Sequence, residues 1–480
     1  MPDGEQRAAE ARAACRAGAG PGTTAGPAQD WPAPAAAGPV HAVVPLPGSK
    51  SITNRALVLA ALADGPGLIK RPLRARDTLL MAAALRALGA GIEEEYASTD
   101  GTPVPCWRVT PCPRSAGAPG VRAVDVGNAG TVLRFVPPVA ALTLGRVAFD
   151  GDPRARERPV GPLLGALREL GVVIDDDGRG ALPFTVAGRG YVPGRAVTLD
   201  ASGSSQLVSA LLLAGARFDK GVEVHHQGPP VPSSPHVAMT IGMLRDAGVR
   251  VEATGPDSWR VHPGPLRAGS VDVEPDLSNA APFLAAALVT GGTVTIPGWP
   301  ARTTQPGDVL RDLLARMGGN CKLTAAGLTV RGSGPIHGIA ADLRDVTELV
   351  PVLTALAALA SSPSRFTGIA HMRLHETDRI AALAREINAL GGQVSELPGG
   401  LVITPRPLRA AGAAGPAGAG STGGARAGRA FATYDDHRLV MAAAVLGLAV
   451  PGLRVANAAT VGKTLPGFTQ LWAQMLESVP

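Results

Sequence analysis

The chain has 480 residues, room for two cores of ordinary size, and 45% of them are hydrophobic, which excludes an intrinsically disordered protein. Only 3% are aromatic, so the cores are expected to be built from Ala, Leu, Val and Ile. The net charge of +6 comes without a Lys/Arg run or a cluster of stacking aromatics, which argues against nucleic acid and for small anions met by scattered arginines.

Residues 1–39 are rich in Ala, Gly and Pro and lack periodicity, so a disordered tail is expected there. They contain no continuous apolar stretch of the kind a secretory signal needs. No segment reaches the length of a bilayer span. A cytoplasmic protein that does not contact membranes is expected. The four cysteines, Cys15, Cys106, Cys112 and Cys321, show neither metal nor redox spacing and are expected to be free thiols.

From Ser51 onward one phrase recurs six times, at intervals of about 70 to 90 residues: an apolar helix, a strand, a second helix, Gly, then further strand. The first helices are expected to begin near Ser51, Gly130, Ser204, Ser278, Thr347 and His437. LVLAALA, LVSALLLAGA and FLAAALV are apolar nearly all round, as buried helices are. The second helices are amphipathic, with Arg86, Glu169, Arg245 and Asp312 free to face solvent. Gly89, Gly171, Gly248, Gly318 and Gly391 follow them, where a left-handed residue ends a helix. One repeat is too small to fold alone, so the units should group as two sets of three, with helices inside and sheets around them. Residues 409–430 form a second Ala/Gly-rich tract and are expected to be flexible.

The first helices open on polar residues. A helix N-terminus carries free N–H donors and partial positive charge, and so attracts anions. PGSKSITNRAL places Lys50, Ser51 and, one turn on, Arg55 at such a start. The Gly-rich nucleotide loop that ends in Gly-Lys-Ser/Thr is absent. GNAGTVLRF adds Asn128, Gly130 and Thr131, DPRARERPV adds Arg154, Arg156 and Arg158, and SGSSQL adds Ser202, Ser204, Ser205 and Gln206. EPDLSNAA, DVTELVP and LHETDR bring Asp276, Glu348, Glu376 and Asp378 beside Arg379. YDDHRLVMA and GKTLPGF bring Arg438 and Lys463. Simple capping accounts for any one of these. Together they suit a site that gathers two anions and moves protons with carboxylates. His371 and His375 have a metal-compatible spacing, but no third ligand lies near them in the sequence, and no metal is expected.

Taken in order, PGSKSITNRAL, GNAGT, PRxxERPVG, SSQ, ETDR, DHR and KTLP resemble the 5-enolpyruvylshikimate-3-phosphate synthase (3-phosphoshikimate 1-carboxyvinyltransferase) family, from about His41 to Trp472 with 409–430 excluded. The resemblance implies an α/β, two-domain enolpyruvyl transferase fold of six βαβαββ repeats, three per domain, with buried parallel helices and the site in a cleft. Residues 49–274 would form the N-terminal lobe, and 40–48 with 275–480 the C-terminal lobe. The implied reaction moves the carboxyvinyl group of phosphoenolpyruvate to the 5-hydroxyl of shikimate 3-phosphate and releases phosphate. This is the sixth step of the shikimate pathway to chorismate and aromatic amino acids, carried out by a monomer that needs no cofactor.

Carried over position by position, Lys50, Ser51, Arg55, Ser204, Ser205, Gln206, Ser233, Glu348 and His375 would hold shikimate 3-phosphate. Lys50, Gly130, Thr131, Arg154, Gln206, Arg379, Arg438 and Lys463 would hold phosphoenolpyruvate. Lys50, Glu348 and Glu376 would be catalytic. Some positions depart from the better-known bacterial pattern: Glu348 stands where Asp is often found, His375 where Lys is, His371 where Asn is, His236 where Tyr is, and Phe135 where Pro is common. Two other readings stand beside this one. One is the sister enolpyruvyl transferase acting on UDP-N-acetylglucosamine, whose typical loop Cys is missing from Asp150–Val160. The other is a catalytically silent, anion-binding homologue.

Overall fold

In the computed structural model, residues 30–99, 101–113, 120–410 and 429–478 are described. One unit runs from Pro47 to Glu274; the other combines residues 30–46 with the chain from Pro275 onward. The repeat is seen whole in the middle of the first unit. Strand Val121–Asp125 leads into helix Gly130–Ala141 and returns as Leu144–Asp150, parallel to the first strand. Helix Gly161–Glu169 follows, and the hairpin Val173–Asp175 and Phe184–Arg189 pairs antiparallel onto the sheet. Five four-stranded sheets of this kind are present among the described residues.

The first repeat of each unit takes its outer strand from a distant part of the chain. Ser270–Asp272 pairs in parallel with Gly67–Lys70, and His41–Val43 with Thr293–Ile296. The amide of Ser49 donates to the carbonyl of Glu274 at 2.8 Å, which pins the two ends of the first unit side by side.

Helices Lys50–Leu62, Gly130–Ala141 and Gln206–Gly215 pack on one another in the first unit, and nearly every residue in them is buried. Ala281–Thr290, Val350–Ala358 and His437–Ala449 do the same in the second. Ala-rich faces let the helices approach closely, and Leu57, Leu211, Leu353 and Leu446 are fully buried between them, each worth about 1.5–3 kcal/mol. A helix covered along its whole length can offer polar groups only at its ends.

Helix starts shift slightly from the sequence expectation. Ser204, Ser278 and Thr347 lie in turns just before helices that begin at Gln206, Ala281 and Val350. The Asp276 carboxylate accepts from the amides of Ser278 (3.1 Å) and Asn279 (3.0 Å), holding one such turn. Pro282 and Pro351 then occupy the first helical turn, where no N–H partner is needed. The glycines expected after the second helices all have φ between 83° and 101°.

The sixth repeat departs from the rule. Its sheet has two strands, Arg454–Val455 and Trp31–Pro32, antiparallel, with a parallel bridge from Phe431 to Val455. Residues 30–39, expected within a disordered tail, therefore belong to the second unit. Trp31 meets Phe468 edge-on at 6.2 Å, and Phe468 packs in turn on Phe283 and Trp472. A two-residue strand edge and an apolar helix need a cover, and Trp31 and Ala33 supply it. Arg409 and Ala410, expected in the flexible tract, also dock: Arg409 N donates to Leu390 O at 2.8 Å. The rest of the two tracts, 1–29 and 411–428, lies outside the described residues.

On an exposed helix, Gly→Ala stabilises by about 1 kcal/mol. A Cβ at Gly447 would instead sit 2.6 Å from the Cβ of Ala33. Gly447→Ala is therefore expected to cost about 1–3 kcal/mol by overpacking. Ala33→Gly in the same chain should recover most of that loss in denaturant melts of the double-mutant cycle. A gain in stability from Gly447→Ala alone would mean that residues 30–39 do not occupy this groove.

Candidate active site

In the second unit, Asp276–Ser278, Thr347–Glu348 and Asp436–Arg438 lead into the three buried helices. Arg438 ties two of these starts together: Nη1 donates to the Ser278 carbonyl at 2.9 Å and Nη2 to its hydroxyl at 2.8 Å. Burial pushes the Arg438 pKa below its ordinary value, with Asp276 and Glu348 opposing. Arg379 opens the second helix of the neighbouring repeat. The two oxygens of Asp436 accept its Nε at 2.7 Å and Nη2 at 3.1 Å, and Glu376 accepts Nη2 at 2.9 Å. Burial opposes the Arg379 charge, but Asp436, Glu376 and Glu348 more than offset this and raise its pKa. Lys463 Nζ donates to the other oxygen of Glu376 at 2.7 Å. The result is a chain of alternating sign, Asp436–Arg379–Glu376–Lys463, in which no side chain is more than 9% exposed.

Arg379 Nη1 lies 3.0 Å from His375 Nδ1. Arginine only donates, so Nδ1 accepts and the imidazole carries its proton on Nε2. Where a lysine would bring a cation, His375 brings a neutral donor. His371 stacks edge-on to it at 5.6 Å. Burial pushes the His371 pKa down to about 4, against the pull of Glu348.

In the first unit, Lys50 and Ser51 open helix Lys50–Leu62, which Ser49 caps. Lys50 Nζ lies 3.2 Å from the buried Asp77 carboxylate. Asn54 reaches the Thr131 hydroxyl at 2.8 Å, joining this helix to the start of Gly130–Ala141. Arg134 Nη1 donates to Gln206 Oε1 at 2.9 Å, while its Nε and Nη2 hold the Pro159 carbonyl. Arg158 Nη1 holds the Asn128 carbonyl at 2.9 Å. Gly130 leaves room for both arginines: a Cβ there would stand 2.7 Å from Arg158 Nη2 and 2.9 Å from Arg134 Nη1. Ser204 and Ser205 precede helix Gln206–Gly215, and Ser233, with φ 52°, precedes Pro235–Asp246.

Two of the expected site residues are engaged differently from the rest. Arg55 is buried: Nε donates to Thr240 Oγ1 at 2.7 Å, Nη1 to the Ser51 carbonyl at 3.1 Å and Nη2 to the His236 carbonyl at 3.1 Å. Its guanidinium also lies 5.3 Å from the Phe135 ring. Arg154 sits on the short turn Pro153–Glu157, paired with Glu157. Within the first unit, contacts link the starts of the three buried helices. Within the second, Glu376, Arg379 and Lys463 meet directly, with His375 on Arg379 and Glu348 among the charges acting on Arg379 and Arg438.

Sequence reasoning passed over Asp77, Arg134 and Asp436. Arg134 had a signal, a cation inside an otherwise apolar helical run. Asp436 caps its helix, accepting from Arg438 N at 2.9 Å. The described residues contain no group of three or more His, Cys, Asp or Glu able to hold a metal. No described helix is long and apolar enough to cross a membrane.

The chain matches the family model of EPSP synthase (3-phosphoshikimate 1-carboxyvinyltransferase) over residues 34–472. It is 52% identical over 455 residues to the 3-phosphoshikimate 1-carboxyvinyltransferase of Kocuria rhizophila, a match spanning 94% of this chain and 98% of that one. Among solved structures, EPSP synthase from Acinetobacter baumannii superposes with a TM-score of 0.71 at 24% identity, over 93% of this chain and 98% of that chain. The enolpyruvyl transferase NikO from Streptomyces tendae does so with a TM-score of 0.65 at 18% identity, over 92% and 96%. At these identities the two structures establish the shared two-domain fold of βαβαββ repeats. The extent of the family match and the identity to the curated relative go further: this chain belongs to the EPSP synthase family.

Proposed function

We propose that the chain transfers the carboxyvinyl group of phosphoenolpyruvate to the 5-hydroxyl of shikimate 3-phosphate, releasing phosphate. It is a transferase of the shikimate pathway and serves aromatic amino-acid biosynthesis. The observation that carries the reading is the alternating chain of the second unit, in which Glu376 lies between Lys463 and Arg379 at 2.7 and 2.9 Å. An enol phosphate with its own carboxylate can compete for both cations and leave Glu376 beside the reacting carbon. The enzyme works as a cytoplasmic monomer without a cofactor.

Lys50, Ser51, Arg55, Ser204, Ser205, Gln206 and Ser233 hold shikimate 3-phosphate, with Glu348 and His375. Gly130, Thr131, Arg154, Arg379, Arg438 and Lys463 hold phosphoenolpyruvate, with Lys50 and Gln206. Glu348 takes the proton from the 5-hydroxyl as that oxygen bonds to C2 of the enol. Glu376, protonated once phosphoenolpyruvate has drawn its two cations away, delivers that proton to the methylene carbon, giving a tetrahedral ketal. Glu376, now a carboxylate, takes a methyl proton back as phosphate departs with the help of Lys50, and the enol ether forms. Two polyanions must meet, so fixed cations and helix N-termini contribute most of the stabilisation. Carboxylates that trade protons contribute the remainder.

Phosphate release measured with phosphoenolpyruvate and each acceptor separates the readings. Turnover is expected with shikimate 3-phosphate and none with UDP-N-acetylglucosamine; binding of shikimate 3-phosphate without turnover would favour a silent homologue. Lys50→Ala should keep the circular dichroism of the parent and lower kcat by about 100-fold or more. Activity near the parent value would remove Lys50 from the mechanism. His371 gives a pH prediction. Its imidazole titrates near 6.5 when unfolded and near 4 when folded, so the unfolded chain takes the proton first. Stability from this group is complete above pH 6.5 and falls as the pH drops toward 4, by at most about 3 kcal/mol. His371→Asn should flatten that limb of a pH–stability curve; an unchanged slope would show that the ring is not desolvated.

A further inference from the structure

Glu386 is a carboxylate at 2% side-chain exposure with no part in the chemistry above. It lies about two turns beyond Arg379 on the same face of helix Arg379–Ala389. Its three named donors all come from the stretch that leads into Asp436. Arg429 Nη2 and the Tyr434 hydroxyl reach Oε1 at 2.6 Å each, and the Ala432 amide reaches Oε2 at 3.0 Å.

The turn it holds is unusual. Tyr434 and Asp435 have φ of 51° and 56°, two successive left-handed residues that are not glycine. Such a conformation persists only where surrounding contacts over-determine it. Glu386 fixes the turn on one side. On the other, the Asp435 carbonyl accepts from Thr460 Oγ1 at 2.9 Å and its carboxylate accepts from Asn457, on the segment that ends in Lys463. The residue delivered by the turn is Asp436, whose carboxylate holds the Arg379 side chain and the Arg438 amide. One helix thus grips the turn twice, through Glu386 to Tyr434 and through Arg379 to Asp436.

We propose that Glu386 and Tyr434 are positioning residues that set Arg379, Arg438 and Lys463 for phosphoenolpyruvate. The proposal rests on the assignment of these cations made above. A role in folding alone would lower stability and leave substrate constants untouched. A positioning role acts on one substrate.

Tyr434→Phe removes a single hydroxyl. It should raise KM for phosphoenolpyruvate about tenfold and change KM for shikimate 3-phosphate less than about twofold, with Tm little altered. Glu386→Gln should act in the same direction, and the double variant should be no worse than the more affected single one, since both break the same contact. Calorimetric titration of phosphoenolpyruvate alone reads the same shift as a change in Kd without turnover. Equal effects on both substrates, or a fall in Tm with both constants unchanged, overturns the proposal. A parent chain that turns over, with variants that keep the parent KM and Kd, overturns this inference alone. A parent chain that neither binds nor turns over phosphoenolpyruvate overturns the assigned reaction as well.

Discussion

The charged groups of the second unit depend on one contact, the two-point grip of Asp436 on Arg379, both of them buried. A guanidinium removed from water is costly unless its charge and its donors are met. Asp436 meets Nε and Nη2 at once, and the same carboxylate caps the helix that carries Arg438. The backbone therefore fixes the position of the carboxylate, and the carboxylate fixes the arginine. From there the sign alternates through Glu376 to Lys463. Such a chain tolerates burial because each charge has an opposite neighbour, and a second anion can enter by competing with Glu376 rather than by neutralising a bare cation.

The first unit meets the same problem with other partners. Arg55, Arg134 and Arg158 are all buried, and the oxygens that hold them include the carbonyls of His236, Pro159 and Asn128. A carbonyl satisfies a donor without cancelling the charge. The arginines act as fixed struts between the helix starts. Gly130 is small because two struts cross beside it.

Much of this was legible in the sequence wherever the cause is local. The repeat, the all-apolar helices and the left-handed glycines follow from periodicity and backbone sterics within one repeat. The polar helix starts were legible for the same reason. What could not be read depends on partners far away in the chain. Trp31 and Ala33 sit in an Ala/Gly/Pro-rich stretch whose composition says nothing of the Phe468–Trp472 cluster that receives it. Asp436 and Glu386 give no local signal of their roles, because their partners Arg379 and Tyr434 lie 57 and 48 residues away. The helix starts at Ser278 and Thr347 were placed early because a turn with nearly helical geometry precedes each helix, as the αR angles of Ala280 and Leu349 show.

The fold itself leaves little choice about where an anion can bind. Helices covered on every side by Ala, Leu and Val have no polar face, and their side chains cannot reach solvent. Polar groups are then met at the helix starts, where Asp276 and Asp436 accept backbone amides and Arg438 brings a positive charge among them. Side chains at the starts add charge and direction to a site that the backbone already defines. This explains how His375 can stand where the related pattern has a lysine. The imidazole, with Nδ1 engaged by Arg379, keeps a donor on Nε2, while Arg379, Arg438 and Lys463 supply the cations of the second unit.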